Sequence, residues 1–226
     1  MDFLGGFAEG AFRKSAGCYS LAMEPTTIAF GPGKRPHLLD APRAWANGRL
    51  WWARLPPLAW AAWTWFHHLQ DSQWSGIAKG LNLALHEAGH ALFGWFGEFI
   101  GIAGGSLFQC LCPGIAFEMF RRQGDWFGMS FCFAWLGTNF YDVATYAADA
   151  RAMELPLVSP FGSGGEDEEI LHDWNWMLER LGWLEHDLLI AQGLRLLGSL
   201  SFLIFLLAGA WLAREMWRTR QGFGRA

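Results

Sequence analysis

The sequence predicts an all-α fold: a polytopic integral membrane helical bundle of about three to four transmembrane helices plus one re-entrant or bent segment. Three observations carry this expectation. Apolar residues make up 52% of the 226 residues and charged residues only 17%, against roughly 25% charged in an ordinary soluble domain. The fifteen tryptophans crowd between residues 45 and 74 and again between 174 and 183. Tryptophan favours membrane–water boundaries, where its apolar ring and polar N–H are both satisfied. Finally, "LLGSLSFLIFLLAGAWLA" at 196–213 contains no charge; as a helix it would be ~27 Å long, close to the hydrocarbon thickness of a bilayer.

Taken in chain order, residues 1–48 are rich in Gly, Pro and Ala without a sustained period and read as an irregular, peripheral segment. "MDFLGGFAEGAFRK" lacks a basic-then-apolar signal pattern. "GPGKRPH" at 31–37 lacks the spacing and the Ser/Thr of a phosphate loop. Residues 49–218 form the expected membrane-embedded domain. Within it, 55–69 is a short span or a Trp-rich interfacial helix, and 77–103 and 126–149 are longer spans. The intervening "GGSLFQCLCPGIAFEMF", broken by Gly104, Gly105 and Pro113, reads as bent or re-entrant. Residues 219–226 form a cytoplasmic tail, because Arg214, Arg218 and Arg220 follow the last span and positive charge stays inside. If 55–69 crosses, the acidic loop "GGEDEE" at 164–169 lies outside. Cys18, Cys110, Cys112 and Cys132 match neither a zinc ribbon nor a C-x-x-C pair, and Cys132 is expected to be a buried free thiol. A net charge of −4 with no long basic run argues against a nucleic-acid partner.

Chemistry concentrates in "LALHEAGHALFG", residues 83–94. On a helix, positions i and i+4 share a face, so His86 and His90 can aim imidazole nitrogens at one metal ion. Glu87 then stands beside it as the base that activates water. H-E-x-x-H on a helix is the zinc-hydrolase pattern, and Zn²⁺ suits nitrogen and oxygen donors. Three ionisable groups in an apolar run are costly unless they are paired, metal-bound or functional. A third protein ligand is needed, and the candidates are Asp149, Asp142 and His172, which is followed by Asp173. Asp142 and Asp149 are seven apart and share a helix face with Asn139 and Tyr146. Asp149 is the first choice and His172 the second. The ordinary readings are a helix-end carboxylate beside Arg151 for Asp149 and an interfacial histidine for His172; His67–His68 and His186–Asp187 read as interfacial too.

These residues resemble the integral-membrane zinc metalloproteases of the site-2 protease type, which carry such a motif in one membrane helix and an aspartate ligand on a later one. The resemblance implies His86 and His90 as ligands, Glu87 as base and close helix packing at Gly89. The family's second motif, an Asn-containing segment ending in Asp-Gly, is matched by Asn139 and Asp149 in "NFYDVATYAADA" with longer spacing, no proline, and Ala150 in place of glycine. Residues 70–190 also resemble an uncharacterised bacterial group of membrane proteins with this motif. Site-2 proteases open towards the cytosol, whereas the charge distribution places His86 nearer the outer face.

The expectation is therefore a multi-pass protein of the bacterial inner membrane: a zinc metallopeptidase, in contact with lipid, that cleaves a membrane protein or peptide in or near the bilayer. Residues 97–106 would offer backbone groups to an extended substrate. The alternative is a non-catalytic scaffold or partner-binding protein whose His/Asp cluster is structural.

Overall fold

The computed structural model describes residues 37–155 and 171–223. Seven α-helices lie among them: α1 (Asp40–Ala46), α2 (Leu55–Gln70), α3 (Lys79–Phe93), α4 (Glu98–Gln123), α5 (Trp126–Ala148), α6 (Asp173–Leu181) and α7 (Asp187–Phe223). No strand occurs among the described residues, so the all-α class is correct. The expectations placed on residues 1–36, including Cys18, and on the acidic loop lie outside the described residues.

Local sequence accounts for the helix boundaries. Pro56 and Pro57 stand in the first turn of α2, where a missing N–H breaks no helical bond. Gly124 ends α4 in the left-handed region at φ 68°, as helix-terminating glycines do. Asp125 then caps α5, its carboxylate accepting from the N–H groups of Phe127 and Gly128 at 3.1 and 3.0 Å. Together they make a tight α4–α5 hairpin.

Four expected boundaries are corrected. The segment 77–103 is not one helix: it breaks into α3, a single 3-10 turn over Gly94–Phe96, and the start of α4. The break is at Gly97, whose φ of 103° and ψ of 163° disfavour any residue with a Cβ. Conversely, the stretch expected to be bent or re-entrant lies within the continuous 26-residue α4, Pro113 included. Its glycines are packing surfaces rather than breakers. A Cβ on Gly89 or Gly104 would press into the backbone of the facing helix, so α3 and α4 meet backbone to backbone. At the ends, α1 forms inside the segment read as irregular, because Trp45 packs onto the core around Phe127, Phe205 and Leu212. Likewise α7 continues to Phe223, through most of the expected tail.

α5 is the central helix, packed on α7, α4, α3 and α2. Gly137 and Gly198 let α5 and α7 cross closely, each filled over by an aromatic ring of the other helix, Phe202 and Tyr141. Cys132 is a buried free thiol, as expected. His68, read as interfacial, is instead buried, its ring stacked on Tyr141 with centroids 4.2 Å apart.

The polarity of α3 and α4 is inverted relative to a soluble amphipathic helix. The buried face of α3 holds Asn82, His86 and Gly89, while Leu81, Leu83 and Leu92 are exposed. α4 buries Gly101, Gly104, Gly105, Gln109 and Pro113 and exposes Leu107, Leu111, Ile115 and Met119 at four-residue intervals. Two helical stretches, Glu98–Gln123 and Leu184–Arg220, are long and apolar enough to cross a membrane. The first coincides with α4, and the second contains the expected span 196–213.

Candidate metal centre

The site is built where α3, α4, α5 and the start of α6 meet. Asn82 sets the register of α3 on α5: its amide N donates to Asp142 Oδ2 at 2.6 Å and Thr138 Oγ1 at 3.2 Å, and its oxygen accepts from Trp135 Nε1 at 3.1 Å. One turn further along, His86 faces the same interior.

His86, His90 and Asp173 each turn one ligand atom towards a common point, all three within 4.8 Å of one another. His86 Nε2 lies 2.9 Å and His90 Nε2 3.1 Å from the same Asp173 oxygen, Oδ2. The other ring nitrogens are engaged behind. His86 Nδ1 is 2.8 Å from Gln109 Oε1, and His90 Nδ1 is 2.9 Å from the carbonyl oxygen of Gly101. Gln109 directs its oxygen at His86 because its amide N reaches the Asn139 carbonyl at 3.5 Å. Carbonyl oxygens only accept, so both Nδ1 atoms carry a proton; each Nε2 then presents a lone pair when its ring is neutral and donates to Asp173 when the ring is protonated. Two imidazole lone pairs and a carboxylate oxygen converging at these distances require a cation among them, either a metal ion or a proton.

The donor set fits zinc. Two imidazoles and one carboxylate are common ligands of that ion, and tetrahedral bonds of roughly 2.0–2.1 Å separate ligand atoms by ~3.3 Å, close to the two spacings observed. The space is also kept clear by α4. A Cβ on Gly105 would lie 2.5 Å from His86 Nε2 and 2.6 Å from His90 Nε2. The site is largely enclosed but open on one side: the side chains of His86 and Asp173 are 8% and 11% exposed and that of His90 is 27% exposed. Burial alone would raise the Asp173 pKa, but hydrogen bonds to His86 and His90 outweigh it and hold the carboxyl below its usual range.

The structure does not join the expected third ligands to this group. Asp149 closes the turn after α5, accepting from the N–H groups of Glu154 and Leu155 at 3.0 and 3.1 Å. His172 is the N-cap of α6: its Nδ1 accepts from Asn175 N–H at 3.2 Å, while Nε2 faces Asp149 Oδ2 at 3.3 Å. With their lone pairs engaged in this way, Asp149 and His172 form a supporting pair, and Asp173 is the residue that reaches the histidines. Asp142 is held by Asn82 one turn away. Tyr146, on the predicted stripe, supports Asp173 by accepting its backbone N–H at 3.1 Å. α6 is docked by Trp174 Nε1 donating to Ser106 Oγ at 3.1 Å and Asn175 Nδ2 donating to the Ala150 carbonyl at 2.8 Å. Residues 98–106 are helical, so most of their N–H and C=O groups serve α4 and do not form an extended edge for a substrate strand.

Gln109 was missed by motif reading, although a lone amide in an apolar segment is a usable signal. Partners behind a metal-binding histidine typically change affinity 10–100-fold. Gln109→Leu is accordingly expected to weaken zinc binding by about that factor while leaving the helical circular dichroism unchanged, as titration against a competing chelator would show.

Scans against protein-family models, curated proteins and solved structures return no match to this chain. Fold and site together define an all-helical protein carrying an inward-facing His–His–Asp group that could hold a metal ion.

Proposed function

We propose that this chain is a membrane-embedded, zinc-dependent hydrolase acting on peptide bonds. The observation that carries the reading is the convergence of His86 Nε2, His90 Nε2 and Asp173 Oδ2, with both Nδ1 atoms tied off. Metal-binding histidines are oriented in this way.

Zinc, when bound, supplies a Lewis-acid centre that polarises a substrate carbonyl and acidifies water. His86, His90 and Asp173 would hold the ion, leaving one position for substrate or water. Glu87 follows His86 directly, is half-buried, and lies close enough for its charge to act on His90 and Tyr146. Its carboxylate would take the proton of the attacking water and return it to the leaving amine. The inverted polarity of α3 and α4, and the outward-facing apolar side chains of α7, support lipid as the surrounding medium.

The test pairs metal analysis with turnover of a peptide library by purified wild type and Glu87→Gln. Both are expected to bind one zinc per chain, with turnover lower by about 10²–10⁴-fold in the variant. Wild type without zinc affinity would overturn the reading. Equal behaviour of the two proteins in cells and in vitro would favour the scaffold alternative.

A further inference from the structure

The fold separates charge along the bundle axis in a way that bears on where the site works. At one end, α1, the approach to α2, the end of α4 and the end of α7 each bring arginine: Arg43, Arg54, Arg121 with Arg122, and Arg214 with Arg218. Their common location follows from contacts. Arg54 lies over the rings of Trp45 and Phe127, Trp45 packs against Leu212 and its neighbours, and Arg121 and Arg122 adjoin the Gly124–Asp125 turn. Asp40, Glu118, Asp125 and Glu215 are the acids there, and Glu118 is engaged by Arg121 and Arg122. The opposite end carries Asp71, Glu98, Glu154, Glu179 and Glu185 with Arg151 and Arg180, the reverse balance.

The site belongs to that acidic end. On α5, His86 lies between the levels of Asn139, which it reaches through Gln109, and Tyr146, 12 to 19 residues or ~18–28 Å from Phe127 at the arginine end. Ala144 and Ala147, flanking Tyr146, pack on Ala191 of α7. Ala191 precedes the uncharged stretch that starts at Leu196 by five residues, or ~7 Å. On α4 the charge-free run is 99–117, and Gly105, which abuts both histidines, is seven residues or ~10 Å from Glu98. The site therefore sits in the acidic-end half of the apolar zone. Four of the five exposed tryptophans lie towards the ends, Trp52 and Trp217 near the arginines and Trp95 and Trp183 near the site, while Trp63 and the exposed Lys79 lie between them among exposed apolar side chains. The four at the ends are distributed as interfacial anchors around a lipid-facing band.

We propose that the arginine end seats against anionic lipid head groups of the cytoplasmic leaflet, and that the His86/His90/Asp173 site opens at the opposite, extracytoplasmic interface. Its substrates are then peptide segments that reach the site from that side of the membrane, not from the cytosol. This rests on the reading that α4 and α7 cross a membrane and on the proposed hydrolase. Charge complementarity selects the lipid surface, since basic clusters beside an apolar span are drawn to anionic leaflets.

Single cysteines introduced as Glu179→Cys and Arg218→Cys, both at exposed positions, are labelled in intact bacterial cells with a membrane-impermeant maleimide, each label being assigned by peptide mass. Glu179→Cys is expected to react before lysis and Arg218→Cys only after it. The reverse pattern would overturn the orientation while leaving the crossing intact. Identical reactivity at both sites would overturn the crossing, and the zinc test of the hydrolase would still stand independently. In vesicles, the thermal midpoint of wild type is expected several degrees higher in phosphatidylcholine mixed with phosphatidylglycerol than in phosphatidylcholine alone. Arg43→Gln/Arg121→Gln/Arg122→Gln should lose most of that difference. Equal wild-type midpoints would overturn the head-group contact.

Discussion

Asp173→Ala is expected to abolish stoichiometric zinc binding, whereas Asp149→Ala retains it. Among the described residues, the carboxylate of Asp173 is the acidic group that approaches both ring nitrogens, at 2.9 and 3.1 Å. Without it, two imidazoles remain to hold the ion, one fewer protein ligand than zinc sites normally keep. The loss should exceed the roughly 10–100-fold that follows from disturbing a group behind a ligand. Asp149 acts one step further out, holding the turn after α5 and facing His172, the cap of α6. Removing it loosens the placement of Asp173, so its effect should stay within ~10–100-fold. Zinc content after dialysis, with affinity from competition against a chelator, distinguishes the two. If Asp149→Ala loses zinc and Asp173→Ala keeps it, the assignment is overturned.

The second large effect is predicted at a residue with no side chain. Gly105→Ala should leave the helical fold largely intact and still remove the metal. The added methyl would meet His86 Nε2 and His90 Nε2, not backbone, and imidazole rings can swing away. Once they swing, the lone pairs no longer converge with Asp173. The expected outcome is near-wild-type helical circular dichroism and thermal midpoint together with absent zinc. Gly89→Ala is the control with opposite character, because its Cβ would strike the Gly104 backbone and force α3 and α4 apart. Overpacking of this kind costs about 1–3 kcal/mol, so that variant should lose stability as well as metal. A Gly105→Ala protein that binds zinc normally would show that the point between the two nitrogens is not where the ion sits.

The sequence reading preferred Asp149 and then His172 as third ligand, and the structure brings in neither. The second choice misses by one residue, because "HDW" holds both His172 and Asp173. What decides between them is the start of α6. His172 lies in extended backbone and turns inward to cap the helix, while Asp173, the first helical residue, turns towards α3. Cap geometry depends on where a helix docks, and α6 docks through Trp174 on α4 and Asn175 on the end of α5. Those contacts are distant in sequence. The glycines of α4 were misread for a related reason. Gly104 and Gly105 weaken a helix by propensity, yet close packing against α3 more than offsets that preference.

By itself the sequence determined the helical class, the uncharged stretch within α7, and the placement of His86, Glu87 and His90 on one helix, because each depends on spacing within a single segment. The tertiary structure alone decided which acid joins the histidines, which backbone and amide groups fix their tautomers, and which glycine keeps the space between them open. Each of these is set by the approach of helices far apart in the chain, and no local pattern records how two surfaces meet.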